Sequence, residues 1–162
     1  MGFGDRPSTP GARVDRRLFW SMPQASRTMT TVTSDLALND VVVSGIPSGA
    51  VISRALVLFK YGSLENTNAA VNDLDAAALS PAVQVRLAAG AYIDGIDLVD
   101  EMFSVAASAR GGGDLLVGAI NVQAQVAGNG TYNFQLDDVR ATGNNLLLHD
   151  VQTGLLIEWI NG

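Results

Sequence analysis

The stretch "GIPSGAVISRALVLFKYGSLENT", residues 45–67, places a polar turn directly before a long run of β-branched and aromatic residues. Successive side chains of a β-strand point to opposite faces of the sheet. Alternation assigns to one face Val51, Ser53, Ala55, Val57, Phe59 and Tyr61, and to the other Ile52, Arg54, Leu56, Leu58 and Lys60. The first face suits a core. The second is also apolar, which predicts a central strand covered there by an arm, by residues 96–109 or by a neighbouring copy.

A period of two residues recurs along most of the chain after residue 27. It predicts eight strands, near residues 28–37, 40–45, 50–61, 82–89, 115–126, 131–140, 144–149 and 154–160. Polar turns at 127–130 and 150–154 predict two hairpins, one between the fifth and sixth of these strands and one between the last two. Helical spacing of apolar residues occurs at 96–109, and a weaker helical turn at 72–80. The pattern indicates an all-β sandwich or barrel.

The composition is poor in surface charge. Of 162 residues, 48% are apolar and 16% are charged, whereas about 25% charged is usual for a soluble domain. The length fits one domain, and the absence of cysteine excludes a disulfide framework and thiolate chemistry. Permanent interfaces are depleted in charge, so the composition favours a subunit whose exterior is partly buried by its neighbours. A weakly charged monomer is the alternative.

Charge is distributed unevenly between the first 27 residues and the rest. Residues 1–27 contain five arginines and two aspartates, a net charge of +3, and the remainder carries −9. Glycine and proline interrupt this basic segment. We therefore expect an extended N-terminal arm, residues 1–27, followed by a β-sandwich domain, residues 28–162. An acidic body of a neighbouring subunit is a natural partner for such an arm.

The sequence offers no convincing catalytic or cofactor site. The glycines at 111–113 precede a predicted strand, and no lysine follows them. A phosphate-binding loop instead leads into a helix and contains a lysine. The single histidine, His149, lacks local partners for metal binding or base catalysis and is expected at a strand end on the rim. Asp137 and Asp138 are neighbours on a strand and face opposite ways, so they cannot flank one glycosidic bond. We expect no enzyme activity and no cofactor.

Metal, membrane and nucleic-acid roles are weakly indicated. The acidic set Asp94, Asp97, Asp100 and Glu101 supplies oxygen ligands, but its spacing matches no ordered calcium loop, and an acidic surface is preferred to a calcium site. Amide side chains interrupt the longest uncharged stretch, residues 115–136, which is inconsistent with a spanning helix. The start of the chain lacks the apolar region of a secretory signal. The arm could contact phosphates, yet the acidic body repels a polyanion.

Three stretches carry a resemblance: "SGIPSGAVISRALVLFKYGSLENT", "GNGTYNFQL" and "NNLLLHDVQTGLLIEWI". They resemble parts of small jelly-roll or β-sandwich structural proteins in the virions of tailed phages, of the capsid decoration (cement) type. The resemblance implies a jelly-roll-like antiparallel β-sandwich of about eight strands with one short helix. It also implies a non-enzymatic subunit on the virion surface, in many copies, often trimeric, with an N-terminal arm that joins neighbours.

The interpretation is a capsid decoration protein that associates with copies of itself and with a capsid or other virion protein. The predicted subunit contacts are Arg13, Arg16, Arg17, Leu18, Phe19 and Trp20 in the arm, and Arg54, Leu56, Leu58 and Lys60 on the second face of the central strand. One alternative is a carbohydrate- or ligand-binding β-sandwich, which requires exposed aromatic residues. Another is a tail or filament subunit.

Overall fold

The computed structural model describes residues 13–29, 35–67, 82–87, 90–98, 109–137 and 146–161. Its nine strands are β1 (Val14–Trp20), β2 (Gln24–Met29), β3 (Leu36–Val43), β4 (Val51–Asn66), β5 (Ala82–Leu87), β6 (Ile93–Asp97), β7 (Arg110–Val117), β8 (Gly130–Asp137) and β9 (Leu146–Ile160). A single 3-10 turn, Gln123–Gln125, precedes β8. No other helix lies in the part of the chain that the structure describes.

The strands form two antiparallel sheets packed face to face, so the predicted all-β sandwich is confirmed. Sheet one has the order β1-β9-β4-β7, with β2 also pairing with β9, and sheet two has the order β3-β8-β5-β6. β1 and β2 pair with the two halves of β9 along the same side, which makes them one edge interrupted at residues 21–23. The sandwich therefore has eight strand positions, four in each sheet.

The pairing is that of a long hairpin folded onto itself. β1 and β2 pair with β9, β3 with β8, β4 with β7 and β5 with β6. Each later strand thus pairs with an earlier one in nested order, and almost every connection crosses between the sheets. This nested arrangement over eight antiparallel positions is a jelly roll.

The core lies between the sheets and contains the predicted inner face of the central strand. Ala55, Val57 and Phe59 are all 0% exposed. Their cross-strand partners on β9 and β7 are also buried, including Leu155, opposite Val57, and Leu116, opposite Phe59. Sheet two contributes large side chains from the other side, of which the buried aromatic ones are Tyr132 and Phe134.

A bulge corrects the prediction at the beginning of β4. The register against β9 shifts between Ile52 and Arg54, which leaves Ser53 as the extra residue. Because one extra residue reverses the alternation, Ile52 points into the core at 7% exposure and Val51 points outward at 62%. The sequence assigned these two residues to the opposite faces. Beyond the bulge, the alternation follows the prediction.

The predicted hairpin between residues 144–149 and 154–160 is wrong, because residues 146–149 and 154–160 belong to one strand, β9. Asp150 lies inside this strand with φ of 53°, a left-handed conformation that aspartate tolerates better than most residues. The side chains change faces there: Val151 and Leu155 are core residues on one side of Asp150, and Leu148 is a core residue on the other. The turn-like residues cause a local irregularity rather than a reversal.

The predicted hairpin between residues 115–126 and 131–140 is also wrong. β7 ends at Val117 and pairs with β4, whereas β8 pairs with β3 and β5. The intervening segment packs along β4 instead, since Val122 N donates to Ala55 O at 2.9 Å. In the predicted helix 96–109, the first two residues are in β6, and residues 99–108 lie outside the described residues, as does the predicted turn 72–80.

Much of the predicted arm is part of the sandwich. Within residues 1–27, the structure describes residues 13–27, and they form β1 and most of β2 on the edge of sheet one. The segment is extended, but it pairs with β9 of its own chain. Ser21 fastens the break between the two strands, because its backbone N donates to Thr153 O at 2.9 Å and its Oγ accepts from Thr153 N at 3.0 Å.

Tyr132 gives a pH-dependent prediction. Its hydroxyl donates to Gly128 O at 2.6 Å, and its burial raises the phenol pKa above the ordinary value of 10.0. The folded protein therefore holds this proton more tightly than the unfolded chain, so stability is intact below pH 10 and falls as the pH rises above it. Replacing Tyr132 with Phe should cost about 1 kcal/mol at pH 7 through the lost hydrogen bond.

Urea denaturation from pH 8 to pH 11 checks this prediction. The difference in unfolding free energy between wild type and Tyr132→Phe should narrow above pH 10, because only the wild type loses stability by ionising this phenol. A difference that stays constant over this range would contradict it.

Candidate functional site

The outward side of sheet one carries a continuous set of apolar side chains, which we name the outer face of sheet one. Residues paired across antiparallel strands share a face. Leu18 pairs with Leu156, which pairs with Leu56, and these form one row. The next row is Trp20, Gly154, Leu58 and Val117. The face thus extends over all four positions of the sheet.

The two central leucines of this face are almost covered, while its margins are open. Leu56 and Leu58 are each 5% exposed, and neither belongs to the core cluster between the sheets. Gly154 leaves room for an indole on this face: a Cβ there would lie 2.8 Å from Cε3 of the Trp20 ring, so the indole lies over the glycine, which is the neighbour of Leu58 in the same row.

Large apolar side chains remain exposed around this centre. Trp20 is 37% exposed, and the values for the other marginal residues lie near one half: Leu18 50%, Leu115 48% and Val117 47%. Beyond the row of Arg16, Glu158 and Arg54, Val14 pairs with Ile160, and Ile160 with Val51, which adds a separate apolar row with two exposed valines to the same face. An exposed apolar patch of this continuity on a protein surface usually marks an interaction site.

Charged side chains lie on both sides of the two central apolar rows, which are the row of Leu18 and the row of Trp20. At one end Arg16, Glu158 and Arg54 form a row, with a salt bridge between the guanidinium of Arg16 and the carboxylate of Glu158. At the other end lies the exposed Lys60, opposite Gln152. An apolar centre with a polar, charged rim is the usual anatomy of a protein interface.

The outward side of sheet two is chemically different. A network of amides and carboxylates crosses it: Gln84 Nε2 donates to Asp94 Oδ1 at 2.7 Å and to Asp137 Oδ2 at 3.0 Å. Gln135 Nε2 in turn donates to Gln84 Oε1 at 2.8 Å and to Asp35 Oδ1 at 2.9 Å. These hydrogen bonds satisfy the polar groups within the chain, so this acidic face is suited to solvent.

The predicted contact residues divide into three environments. Arg16, Leu18, Trp20, Arg54, Leu56, Leu58 and Lys60 all lie on the outer face of sheet one. Two others lie on the edge next to it: Arg13 Nε is 2.9 Å from Asp15 Oδ1, and Arg17 Nη1 donates to Ser44 O at 3.4 Å. Phe19 is 7% exposed and packs in the core of its own chain.

Several apolar residues of this face were not among the predicted contacts, and those next to its centre are Leu115, Val117 and Leu156. Leu156 alternates with Leu155 and Ile157 in an apolar run, and that two-sided pattern was the available signal for it. Leu115 and Val117 join the face because β7 pairs with β4, and nothing in the local sequence indicates that pairing. The sequence therefore revealed the middle of the face but not its margin on β7.

Polar residues on β4, β7 and β9 form a second, smaller group. His149 is half-buried within β9, away from a strand end, and its Nε2 is 3.0 Å from Glu65 Oε2. Ser63, the cross-strand neighbour of His149, accepts a hydrogen bond from Arg110 Nε at 2.8 Å. These contacts tie β4 to β7 and β9.

Metal and membrane features are absent from the described part of the chain. Within it, three or more acidic, histidine or cysteine side chains nowhere meet in a way that could hold a metal ion. Asp94 and Asp97 are in β6, and the other two residues of the predicted acidic set, Asp100 and Glu101, lie outside the described residues. No helix in the described ranges has the length and hydropathy to cross a membrane.

Comparison with known proteins gives no further identification: neither a protein-family model, nor a curated protein, nor a solved structure matches this chain.

Proposed function

We propose that this chain is a non-enzymatic structural subunit of a virion, a capsid decoration protein that binds the particle surface and neighbouring copies. One observation carries the proposal: the outer face of sheet one is apolar from edge to edge. Its centre, at Leu56 and Leu58, is nearly covered, while Leu18, Trp20 and Val117 remain open around it. Burying this surface against a partner releases water from apolar area, which is the main driving force of protein association.

Two further features support the proposal. The opposite, acidic face of sheet two satisfies its own polar groups, so the molecule has one face suited to a partner and one suited to solvent. A subunit that coats a particle needs this two-sided character. The jelly roll is also a common architecture of viral capsid proteins, although it occurs in lectins too, and a fold by itself does not define a function.

The proposed mechanism is mechanical. The apolar rows supply contact area, while Arg16, Arg54 and Lys60 at their ends are placed for acidic groups of the partner. Each contact is modest, and repetition over many copies gives a stable coat. The resemblance of the sequence to decoration proteins adds a trimer as the expected grouping of copies on the particle.

A binding experiment with particles from the source of the chain tests this function. Purified protein is mixed with the particles, and the mixture is separated on a density gradient. The wild type should sediment with the particles, and Leu18→Glu should lose at least about 90% of this binding, since a carboxylate would be buried in an apolar contact. Val42→Glu is the matched control, because Val42 is 64% exposed on sheet two.

The proposed function would be overturned if the wild type stayed at the top of the gradient, or if Val42→Glu lost as much binding as Leu18→Glu. Specific binding of the wild type to a glycan array, abolished by Trp20→Ala, would favour the carbohydrate-binding alternative instead.

A further inference from the structure

Strand β7 forms the outer edge of sheet one. It pairs with β4 along one side, and no described strand pairs with its other side. Natural proteins usually protect such an edge with proline, several charges or a covering element. The sequence of β7, Arg-Gly-Gly-Gly-Asp-Leu-Leu-Val, has no proline and only one charge of each sign. Among the described residues, nothing covers this edge, and it is open to another strand.

The glycines of β7 have different explanations. A Cβ on Gly113 would lie 2.2 Å from Tyr61 O, so the approach of β4 within the chain requires glycine there. A Cβ on Gly112 would meet nothing within 4 Å, and its φ is not in the left-handed region. The described part of the chain gives no reason for glycine at 112. Glycine inside a strand often marks a place where another backbone approaches closely.

The charges of β7 are placed symmetrically about Gly112. Arg110 lies two residues before it and Asp114 two residues after it, and all three are exposed. If a second β7 pairs antiparallel with Gly112 opposite Gly112, each Arg110 faces Asp114 of the other copy. The two-fold symmetry of such a contact forms the opposite-charge pair twice, and opposite charges facing each other across strands stabilise the pairing.

Both side chains have hydrogen-bonding capacity left for this contact. Arg110 uses Nε for Ser63 Oγ, and a guanidinium carries four further N–H donors. Asp114 accepts the backbone N–H of Leu115 through Oδ1 at 2.7 Å, and its second oxygen points to no partner among the described residues. The pair can therefore form without breaking either internal hydrogen bond.

We propose that two copies of this chain pair through β7, antiparallel about Gly112, and join their first sheets into one continuous sheet. The two-fold axis is perpendicular to the sheet, so the outer faces of both copies point to the same side. The apolar surface then doubles, and binding to a particle becomes bivalent. The value of this arrangement for coating a particle rests on the proposed function, whereas the pairing itself does not.

Charge reversal tests the pairing. The wild type should show a monomer–dimer equilibrium in sedimentation velocity runs. Protein concentrations up to the order of 0.1 mM are used, because a small interface binds weakly. Arg110→Asp should weaken dimerisation about 10-fold or more, and so should Asp114→Arg, because each turns two attractive pairs into repulsive ones. The double variant R110D/D114R should dimerise like the wild type.

A mixture of the two single variants gives the sharpest readout. One copy then presents two aspartates and the other two arginines, so both cross-strand pairs become attractive and a heterodimer should form more readily than a dimer of either variant. Circular dichroism checks that each variant is folded. The proposal is overturned if the wild type stays monomeric, if either reversal leaves dimerisation unchanged, or if the double variant and the mixture both stay monomeric.

This test separates the pairing from the proposed function. Leu18→Glu lies away from β7 and should dimerise normally while losing the particle. Normal dimers without any particle binding by the wild type would overturn the function alone. Particle binding by a wild type that never dimerises would overturn the pairing alone.

Discussion

Replacing Gly118 with alanine is expected to destabilise the protein by about 3 kcal/mol or more, one of the largest effects of any single methyl group in this fold. Gly118 directly follows β7 and its N–H donates to Val57 O at 2.8 Å. An added Cβ would lie 2.0 Å from Gly95 O and 2.9 Å from Gly95 C. Those atoms are backbone, so no side-chain rotation can relieve the overlap.

The overlap matters because two sheets meet at this point. Gly95 belongs to β6 of sheet two, and a Cβ there would itself lie 2.2 Å from Cγ2 of Val57 in sheet one. The two glycines thus let β6 approach sheet one and close one side of the sandwich. An alanine at Gly118 must push β6 away and open the core beside Ile96, which is 2% exposed.

Urea denaturation measures the effect as a decrease in unfolding free energy and in transition midpoint. Gly112→Ala is the control: it adds the same methyl group on the preceding strand in open space, and its stability should be unchanged or slightly higher when measured at a concentration that keeps the protein monomeric. Equal losses for both variants would show that the clash at Gly118 is not the cause.

The middle of β4 was predictable because alternation is a local signal. From Ala55 to Phe59, a buried inner residue alternates with an outward one, and the sequence shows this directly. The bulge at Ser53 was not predictable in the same way. One extra residue reverses the faces of Val51 and Ile52, and both are β-branched apolar residues that fit either side of a sheet.

Strand pairing was the weakest part of the prediction, for a physical reason. Turn residues such as those around Asp150 favour a reversal locally, but the fifteen residues of β9 gain hydrogen bonds from β4 on one side and from β1 and β2 on the other. Long-range pairing therefore outweighs the turn preference. The same holds for the nested pairs of the jelly roll, whose partners are far apart in sequence.

The candidate site was predicted in its centre and missed at its edge. Leu56 and Leu58 follow from the two-sided apolar pattern of one strand. Leu115 and Val117 come next to them only through the pairing of β7 with β4. The symmetric charges of Arg110 and Asp114 are visible in the sequence, yet they acquire meaning only when β7 is known to be an edge.

Deleting residues 1–27 is expected to prevent stable folding rather than simply to remove an arm. The deletion takes away β1 and most of β2, which form one whole edge of sheet one. It also removes Phe19 from the core, whose burial contributes roughly 2–3 kcal/mol. This loss of burial and the lost hydrogen bonds to β9 together amount to a large share of the typical 5–15 kcal/mol of net stability.

The shortened chain would also expose the side of β9 that β1 normally covers. That edge is long and apolar on both faces, with Leu155, Leu156 and Ile157 in succession, and such an edge promotes aggregation. We therefore expect the deletion variant to be insoluble, or to lose its cooperative thermal transition. Differential scanning calorimetry and size-exclusion chromatography measure both properties.

Three further variants separate the contribution of β1 from that of residues 1–12. Deletion of residues 1–12 leaves both β1 and β2 in place and should retain the thermal transition of the full chain. Phe19→Ala should cost about 3–5 kcal/mol by emptying a core position, whereas Arg13→Ala, on an exposed side chain, should change stability by less than about 0.5 kcal/mol. If the chain without residues 1–27 folds cooperatively and stays monomeric, then β1 is a docked arm after all. The same strand could then pair with β9 of a neighbouring copy, because the loss of its own β9 contacts would be small enough for exchange.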